Sequence, residues 1–264
     1  MPLASALASA RRGHRTIVVP YVLVDRARRA RLSATVTALR RGGASALELG
    51  FPFSDPIADG PVLAAAHDRA LKNGTAWTDL LAACRIASAE LPTAVMTYAN
   101  PLWHRGLAQS LGALGRAGAT GLIVPDLSLE ESPPFARSAA AAGLSLVLLA
   151  APGVSDERVA AIARRSRGFL YLVGQYGTTG TAQPSARVDL RPLVARARAA
   201  APGRPVLVGF GVRDRPSAER ALATGADGVV VGTAVEERLE RNATPGAIEQ
   251  WIRSLASAAR PAAG

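Results

Sequence analysis

The chain has 264 residues, of which 49% are hydrophobic and 19% charged, as expected for a folded domain with one large core rather than a disordered chain. Its single cysteine, Cys84, excludes a disulfide framework and a cysteine-based metal cluster. No apolar run reaches the roughly 18 residues that a membrane span needs, and residues Met1–Arg15 lack the apolar segment of a signal peptide. We therefore expect a cytoplasmic protein without membrane association.

The formal net charge of +11 raises the question of a nucleic-acid partner. The arginines, however, are scattered through segments predicted as helices, without interleaved aromatic residues that would stack on bases. The main groups are Arg26–Arg31, Arg158–Arg167 and Arg191–Arg198. We interpret them as solvated helix faces and expect no nucleic-acid partner, although the positive charge would attract a phosphorylated substrate.

Short β-branched or leucine-rich runs alternate with longer segments rich in alanine and arginine, which is the pattern of successive β-α units around a parallel sheet. Their near-continuous apolar character is typical of strands that are buried on both faces. Eight runs are predicted as strands: Thr16–Val24, Ser45–Leu49, Thr93–Tyr98, Gly121–Val124, Ser145–Ala150, Phe169–Val173, Val206–Val208 and Gly228–Val231. This predicts an α/β fold, a (β/α)8 TIM barrel over about residues 15–258, in a single domain of residues 1–264.

Helix boundaries are indicated by capping residues. Ser155 and Asp189 precede predicted helices, and four glycines stand where helices should end: Gly43, Gly118, Gly143 and Gly225. Residues Ala4–Arg12 are predicted as a short helix over the bottom of the barrel, and Ala258–Gly264 as a frayed tail. In such barrels the chemistry lies at the carboxyl ends of the strands, which selects the residues to consider.

The second predicted strand ends in Leu47-Glu48-Leu49-Gly50, which places a carboxylate in an apolar strand. Burial of Glu48 would cost free energy and would raise its pKa towards the range useful for proton transfer near neutral pH. On this evidence alone, Glu48 is equally well a half-exposed structural residue.

The loop after this strand carries two further carboxylates, Asp55 and Asp59, and is stiffened by three prolines before a predicted helix at Val62–Leu71. By propensity either aspartate is a helix cap or a turn residue. The order of the whole segment, Glu48-Leu-Gly-Phe-Pro-Phe-Ser-Asp-Pro-Ile-Ala-Asp-Gly-Pro61, argues for more than a turn.

This segment closely resembles the signature of tryptophan synthase α subunits. The resemblance extends from about residue 15 to residue 258, in the family's order and with similar spacing. It continues through Met96-Thr-Tyr-Ala-Asn100, Val124-Pro-Asp-Leu127, Tyr171-Leu-Val173, Gly177-Thr-Thr-Gly180, Gly209-Phe-Gly211 and Val231-Gly-Thr233.

The resemblance implies a carbon-carbon lyase that cleaves indole-3-glycerol phosphate to indole and glyceraldehyde 3-phosphate. The position of Glu48 is then the general acid/base that protonates the indole ring carbon, and the position of Asp59 contacts the indole nitrogen. No cofactor or metal is required, and the only lysine, Lys72, lies in a predicted helix rather than at a strand end, which argues against a lysine-dependent aldolase.

Glycines at the ends of the sixth, seventh and eighth strands would let backbone N–H groups approach a phosphate, and the following helix would add its dipole. The resemblance assigns the phosphate contacts to Gly180, Gly211, Gly232 and Thr233. Aromatic and apolar residues near strand ends would by themselves be core residues. The resemblance assigns them, with Thr179, to the substrate: Tyr21, Met96, Tyr98, Ile123, Leu149, Tyr171, Thr179 and Phe210. The histidines His14, His67 and His104 have no ligand spacing and are interpreted as surface or structural.

Two loops depart from the family's pattern. Val24-Asp-Arg-Ala-Arg28 replaces a Gly-Asp-Pro turn, and Gly174-Gln-Tyr-Gly-Thr-Thr-Gly180 replaces Ser-Arg-Ala-Gly-Val-Thr-Gly in the lid over the substrate. In the family, closure of this lid is coupled to a β subunit that takes up the indole, and contacts with that subunit fall in the Pro52–Gly60 loop and near Asn100. A β subunit in an α2β2-type complex is therefore the expected partner.

Three alternatives remain open at this point: a stand-alone indole-3-glycerol phosphate lyase of a specialised indole pathway, a non-catalytic regulatory barrel for a β-like partner, and a phosphosugar isomerase on the same fold. Retention of both Glu48 and Asp59 argues against the regulatory barrel. The isomerase would need its carboxylates on other strands.

Overall fold

The computed structural model describes residues 1–174, 189–209 and 211–258. Its strands all pair in parallel, in the order β5-β4-β3-β2-β1-β9-β8-β7-β6. Since β5 and β6 follow each other directly along the chain, the sheet closes into a barrel. The strands are β1 Ile17–Leu23, β2 Leu47–Gly50, β3 Thr93–Met96, β4 Gly121–Ile123, β5 Ser145–Val147, β6 Leu149–Ala150, β7 Leu170–Val173, β8 Val206–Gly209 and β9 Gly228–Val231.

Helices surround this barrel and follow most of the strands. The helices are α1 Leu3–Arg12, α2 Arg29–Arg41, α3 Pro61–Lys72, α4 Trp77–Ser88, α5 Ala99–His104, α6 Leu107–Arg116, α7 Ser132–Ala141, α8 Asp156–Arg165, α9 Arg191–Ala200, α10 Arg215–Leu222, α11 Thr233–Glu240 and α12 Pro245–Ala256, with a 3-10 turn at Arg26–Arg28. In the described part of the chain, no helix has the length and apolar character needed to cross a membrane. The TIM-barrel prediction is confirmed.

The predicted strands agree with the observed ones to within two residues at each end, with one difference in kind. The run Ser145–Ala150, predicted as one strand, is divided at Leu148 because a side chain interrupts the ladder there. The Leu148 amide donates to the Ser166 hydroxyl oxygen at 2.9 Å, and that hydroxyl donates to the Phe169 carbonyl at 2.6 Å. The sequence pattern does not reveal this interruption, since Leu148 is as apolar as its neighbours.

The predicted helix boundaries are confirmed where capping residues marked them. The Ser155 hydroxyl accepts the Arg158 amide at 3.3 Å, and the Asp189 carboxylate accepts the Arg191 amide at 3.0 Å. The four glycines all have a positive φ, from 72° at Gly143 to 101° at Gly43, which few other residues adopt.

The chain remains packed further towards its carboxyl end than the sequence suggested. Ala258, predicted to begin a frayed tail, is buried, and its carbonyl accepts a hydrogen bond from the Thr16 hydroxyl at 2.7 Å. The packing of α12 against β1 and α2 therefore extends to this residue. Residues 259–264 lie outside the described residues.

Two apolar layers hold the barrel together. Alternate strand residues point outwards and pack against the helices, whereas the others fill the interior. Helix α1 closes the amino-terminal end, as predicted, because Leu3, Leu7 and Ala10 pack into the interior layer. Gly121 leaves room for Leu3, since a Cβ atom at that glycine would lie 2.6 Å from the leucine side chain.

We predict that Leu7→Ala lowers the free energy of unfolding by about 2–5 kcal/mol, because Leu7 is completely buried and its truncation leaves a cavity in the barrel bottom. Urea unfolding measures this loss. Ser9→Ala changes an exposed residue of the same helix and is the matched control. Equal stability of the two variants would show that α1 contributes little to barrel packing.

Candidate functional site

Glu48 is the second of the four residues of β2 and points into the barrel. Its neighbours Leu47 and Leu49 pack outwards, whereas Ala46 and the strand partner Ala94 belong to the interior layer. The side chain is 1% exposed, and neither carboxylate oxygen has a hydrogen-bond partner among the described residues. Burial, and secondly the charge of Asp59, raise the pKa of Glu48 to about 8. The half-exposed structural interpretation of Glu48 is therefore wrong.

Asp59 is the second buried carboxylate, at the end of the loop that follows β2. The Tyr98 hydroxyl donates to its Oδ2 atom at 2.7 Å and accepts the Ala58 amide at 3.1 Å. Asp59 does not cap the helix, since α3 begins after Gly60 without a side-chain cap. Its own amide donates to the Pro56 carbonyl within a turn. Asp55, the other aspartate of the loop, is exposed.

His67 is a residue of this site that the sequence analysis missed. It was interpreted as surface or structural along with His14 and His104, which are indeed exposed, but its imidazole is buried and its Nε2 atom lies 3.4 Å from Asp59 Oδ2. The surface interpretation is therefore wrong for His67. Helical spacing places His67 on the same face of α3 as Leu63, but Asp59 lies before this helix, so the spacing alone could not have paired the two side chains.

The predicted substrate-binding residues that the structure describes line the barrel interior, into which Glu48 points, or lie beside Asp59. Met96, Ile123, Leu149 and Tyr171 all contribute to the interior layer of the barrel. Tyr21 belongs to a neighbouring apolar group with Leu63, and Tyr98 contacts Asp59. Phe53, which was not singled out from the sequence, stacks on Tyr98 with ring centroids 5.0 Å apart. Thr179 and Phe210 lie outside the described residues.

Two tyrosine side chains pack over glycines of the neighbouring strands. A Cβ atom at Gly50 would lie 2.0 Å from the Tyr21 hydroxyl, and one at Gly209 would lie 2.2 Å from the Tyr171 ring. Each glycine lies on the strand next to its tyrosine. Burial raises the pKa of both hydroxyls, and the nearby carboxylates raise it further, so both tyrosines remain neutral hydrogen-bond donors.

The predicted phosphate-binding residues lie at the ends of the last strands. Gly232 directly follows β9 and is the N-cap of α11, whose first residue is Thr233. Gly211 follows β8, is exposed and has a φ of +76°. The amino terminus of a helix offers unpaired N–H groups and a favourable dipole to an anion. Gly180 lies outside the described residues.

The loop after β1, which departs from the family's pattern, is attached to α11 by an ion pair. Arg28 Nη1 lies 2.6 Å from Oε1 of Glu236, and Arg69 of α3 lies 3.3 Å from the same oxygen. Burial raises the pKa of Glu236, and the charge of Arg28 opposes this increase. This carboxylate therefore connects the helix at the predicted phosphate site to α3, which follows Asp59.

The described residues contain no group of three or more histidine, cysteine, aspartate or glutamate side chains that could hold a metal ion. What the site does contain is a proton-carrying carboxyl group with a pKa near neutrality and a second carboxylate oriented by hydrogen bonds. Both are enclosed by apolar and aromatic side chains, an arrangement suited to general acid/base chemistry on a flat aromatic substrate.

Comparison with known proteins identifies the relatives of this chain. The family model described as tryptophan synthase alpha chain matches residues 7–260. The tryptophan synthase alpha chain of Synechocystis sp. is 43% identical over 236 residues, which cover 86% of this chain and 88% of the relative. That of Synechococcus elongatus is 38% identical over 248 residues, which cover 92% of each chain.

Solved structures agree with the sequence comparison. A structure of tryptophan synthase from Mycobacterium tuberculosis superposes with a TM-score of 0.86 at 34% identity, covering 98% of both chains. A tryptophan synthase complex from Pyrococcus furiosus gives a TM-score of 0.79 at 31% identity, covering 90% of this chain and 97% of that one.

Proposed function

This chain belongs to the tryptophan synthase alpha chain family, and we propose that it cleaves indole-3-glycerol phosphate to indole and glyceraldehyde 3-phosphate. It is a carbon-carbon lyase. The observation that carries the proposal is the buried, unpartnered carboxyl group of Glu48 beside Asp59, at the carboxyl ends of the barrel strands.

The reaction requires one proton to be added and one to be removed. Breaking the bond between C3 of the indole ring and the glycerol side chain needs a proton on C3, and the hydroxyl of the adjoining side-chain carbon loses its proton as the aldehyde forms. With a pKa of about 8, Glu48 is largely protonated at neutral pH and donates the first proton. The resulting carboxylate accepts the second, which restores the starting state.

Asp59 serves the other end of the indole. When C3 is protonated, positive charge develops on the ring nitrogen, and a carboxylate that accepts the N–H hydrogen bond stabilises that charge. The Tyr98 hydroxyl supports this role because it donates to Oδ2 and so orients the carboxylate. Stabilisation of the charged intermediate lowers the barrier to bond cleavage.

The remaining site residues have binding roles. The indole ring packs among the apolar and aromatic side chains of the barrel mouth, and the phosphate lies against the start of α11. The residues proposed for the ring pocket are Tyr21, Met96, Tyr98, Ile123, Leu149, Tyr171, Thr179 and Phe210. Those proposed for the phosphate are Gly180, Gly211, Gly232 and Thr233.

The partner of this chain is a tryptophan synthase β subunit. The solved relatives include a tryptophan synthase complex, and Ile57, in the loop between Glu48 and Asp59, has an apolar side chain that is 70% exposed. That loop is the one through which the family contacts its β subunit.

The chain is further proposed to form a single domain and to act in the cytoplasm. Pairing of β1 with β9 joins the first and last strands, which supports one domain over residues 1–264. The single cysteine, Cys84, is a free thiol buried under the barrel helices, as suits a reducing compartment.

Indole release from indole-3-glycerol phosphate by the purified chain tests the proposal, with Glu48→Gln as the inactive control and a β subunit added in parallel. Slow release that the β subunit strongly accelerates is the expected result. Rapid Glu48-dependent release without it would instead establish a stand-alone lyase. No release in either condition, with substrate still bound, would establish a regulatory barrel.

A further inference from the structure

His67 is a buried titratable group for which the proposed proton transfers have no use. Its side chain, 2% exposed, projects from α3 towards the loop of residues 51–60 that carries Asp59. Three polar groups surround it: the Phe53 amide, the Asp59 carboxylate and the Tyr21 hydroxyl.

The contact with Phe53 determines which ring nitrogen carries the proton. The Phe53 backbone amide donates to His67 Nδ1 at 3.0 Å. An amide N–H can only donate, so Nδ1 must be the unprotonated nitrogen and the proton of the neutral imidazole must be on Nε2. Nε2 is therefore the donor of the ring.

Two acceptors lie 3.4 Å from that nitrogen: the Tyr21 hydroxyl, in hydrogen-bond geometry, and Asp59 Oδ2, at ion-pair distance. The carboxylate is the stronger acceptor, because hydrogen bonds to ionised groups are roughly twice as strong as those between neutral groups. Tyr98 donates to the same Oδ2 atom at 2.7 Å. Both described contacts of the Asp59 carboxylate thus fall on Oδ2, and Oδ1 remains to receive a substrate N–H.

The same side chains also hold the loop that carries Asp59. His67 binds the Phe53 amide near its start, and Tyr98 binds the Ala58 amide near its end. The stacking of Phe53 on Tyr98 connects the two anchor points. The position of the carboxylate is thereby tied to α3 rather than to the loop alone.

We propose that His67 is a positioning residue for Asp59: its neutral imidazole accepts the Phe53 amide at Nδ1, donates from Nε2 to Asp59 Oδ2, and directs Oδ1 towards the indole nitrogen. The inference rests on the proposed lyase function for its effect on rate, whereas the hydrogen-bond arrangement does not depend on that function.

Two substitutions separate the two hydrogen bonds of the ring. His67→Asn keeps an acceptor near the Nδ1 position but is too short to reach Asp59, whereas His67→Gln places its amide near the Nε2 position and keeps the donor. We expect His67→Asn to lower kcat by roughly 10- to 100-fold, the loss of one hydrogen bond to a charged group, with KM little changed. His67→Gln is expected to restore most of this loss.

A double-mutant cycle identifies the partner. In an Asp59→Asn background, His67→Asn is expected to have little further effect, because the carboxylate that it orients is already absent. Independent effects of the two substitutions on kcat, or equal losses in the asparagine and glutamine variants, would overturn the proposal. Thermal unfolding of each variant separates these outcomes from loss of the fold.

A measurement without substrate tests the arrangement directly. The 15N chemical shifts of the three imidazoles in the labelled wild-type chain are expected to show the Nε2-protonated tautomer for His67, whose signal is assigned by its disappearance in His67→Asn. Exchange of His14 and His104 for glutamine assigns the other two. An Nδ1-protonated or doubly protonated ring would overturn the proposal even if the lyase activity is confirmed. The expected tautomer in a chain that cleaves no substrate would contradict only the proposed function.

Discussion

Glu48→Gln is expected to abolish nearly all indole release, with a decrease in kcat of roughly 10²- to 10⁴-fold, the usual contribution of a general acid/base. Glutamine has the same shape but can neither donate a proton to the indole ring nor accept one from the side-chain hydroxyl. The wild-type profile of kcat/KM against pH should fall as the pH rises through about 8, because Glu48 then loses the proton that it donates. Steady-state assays over pH 6–9 measure both effects.

The same substitution should stabilise the fold in a pH-dependent manner. The pKa of Glu48 is raised from its ordinary value of 4.5 to about 8, so between these pH values the folded chain holds a proton that the unfolded chain has released. The wild-type fold therefore loses stability as the pH rises from about 5 to 8, a decline that Glu48→Gln removes. Urea unfolding at both pH values tests this difference.

Glu219→Gln is the matched control for both measurements, since Glu219 is a partly exposed residue of α10 in a surface ion pair with Arg215. It should leave kcat and the pH dependence of stability unchanged. Full activity of Glu48→Gln would remove Glu48 from the mechanism. If the stability of the Glu48→Gln chain fell with rising pH as much as that of the wild type, the Glu48 side chain would be hydrated in solution.

Asp59→Asn is expected to lower kcat by roughly 10²- to 10³-fold, comparable to removing one preorganised group that faces the developing charge in other active sites. Asparagine can still accept the Tyr98 hydrogen bond, so the loop geometry is retained, but the negative charge opposite the indole nitrogen is lost. The alkaline limb of the pH profile should also move to lower pH, because the charge of Asp59 contributes to the raised pKa of Glu48.

Asp55→Asn provides the comparison within the same loop. Asp55 is exposed, so in assays without the β subunit it should behave as the wild type. If Asp59→Asn reduced activity without moving the alkaline limb, Asp59 and Glu48 would not interact electrostatically in the free protein. If it had no effect on kcat, the proposed stabilisation of the indole nitrogen would be wrong.

The fold could be predicted because each level of the sequence pattern indicated the same structure. Buried parallel strands produce apolar runs, and glycines such as Gly43 and Gly118 end helices where a positive φ is needed. The interruption at Leu148 could not be predicted, since it depends on the hydroxyl of Ser166, which is distant along the strand pattern and carries no signal of its own.

The two carboxylates of the site could be predicted because they lie in one continuous segment of the sequence. Glu48 and Asp59 lie within 12 consecutive residues, and strand alternation directs Glu48 into the barrel. His67 was missed because a histidine on a helix is usually a surface residue. Only the folded conformation of the loop, which brings the Phe53 amide to the His67 ring, shows that His67 belongs to the site.

Helix α1 determines the end of the barrel at which substrate and products exchange with solvent. Because Leu3 and Leu7 fill the amino-terminal end of the barrel, exchange with solvent takes place at the opposite end, where Glu48 and Asp59 lie. The substrate therefore enters, and both products leave, through the same open end of the barrel. An inhibitor bound over that open end would slow all three exchanges together, so a single binding event would stop the whole catalytic cycle.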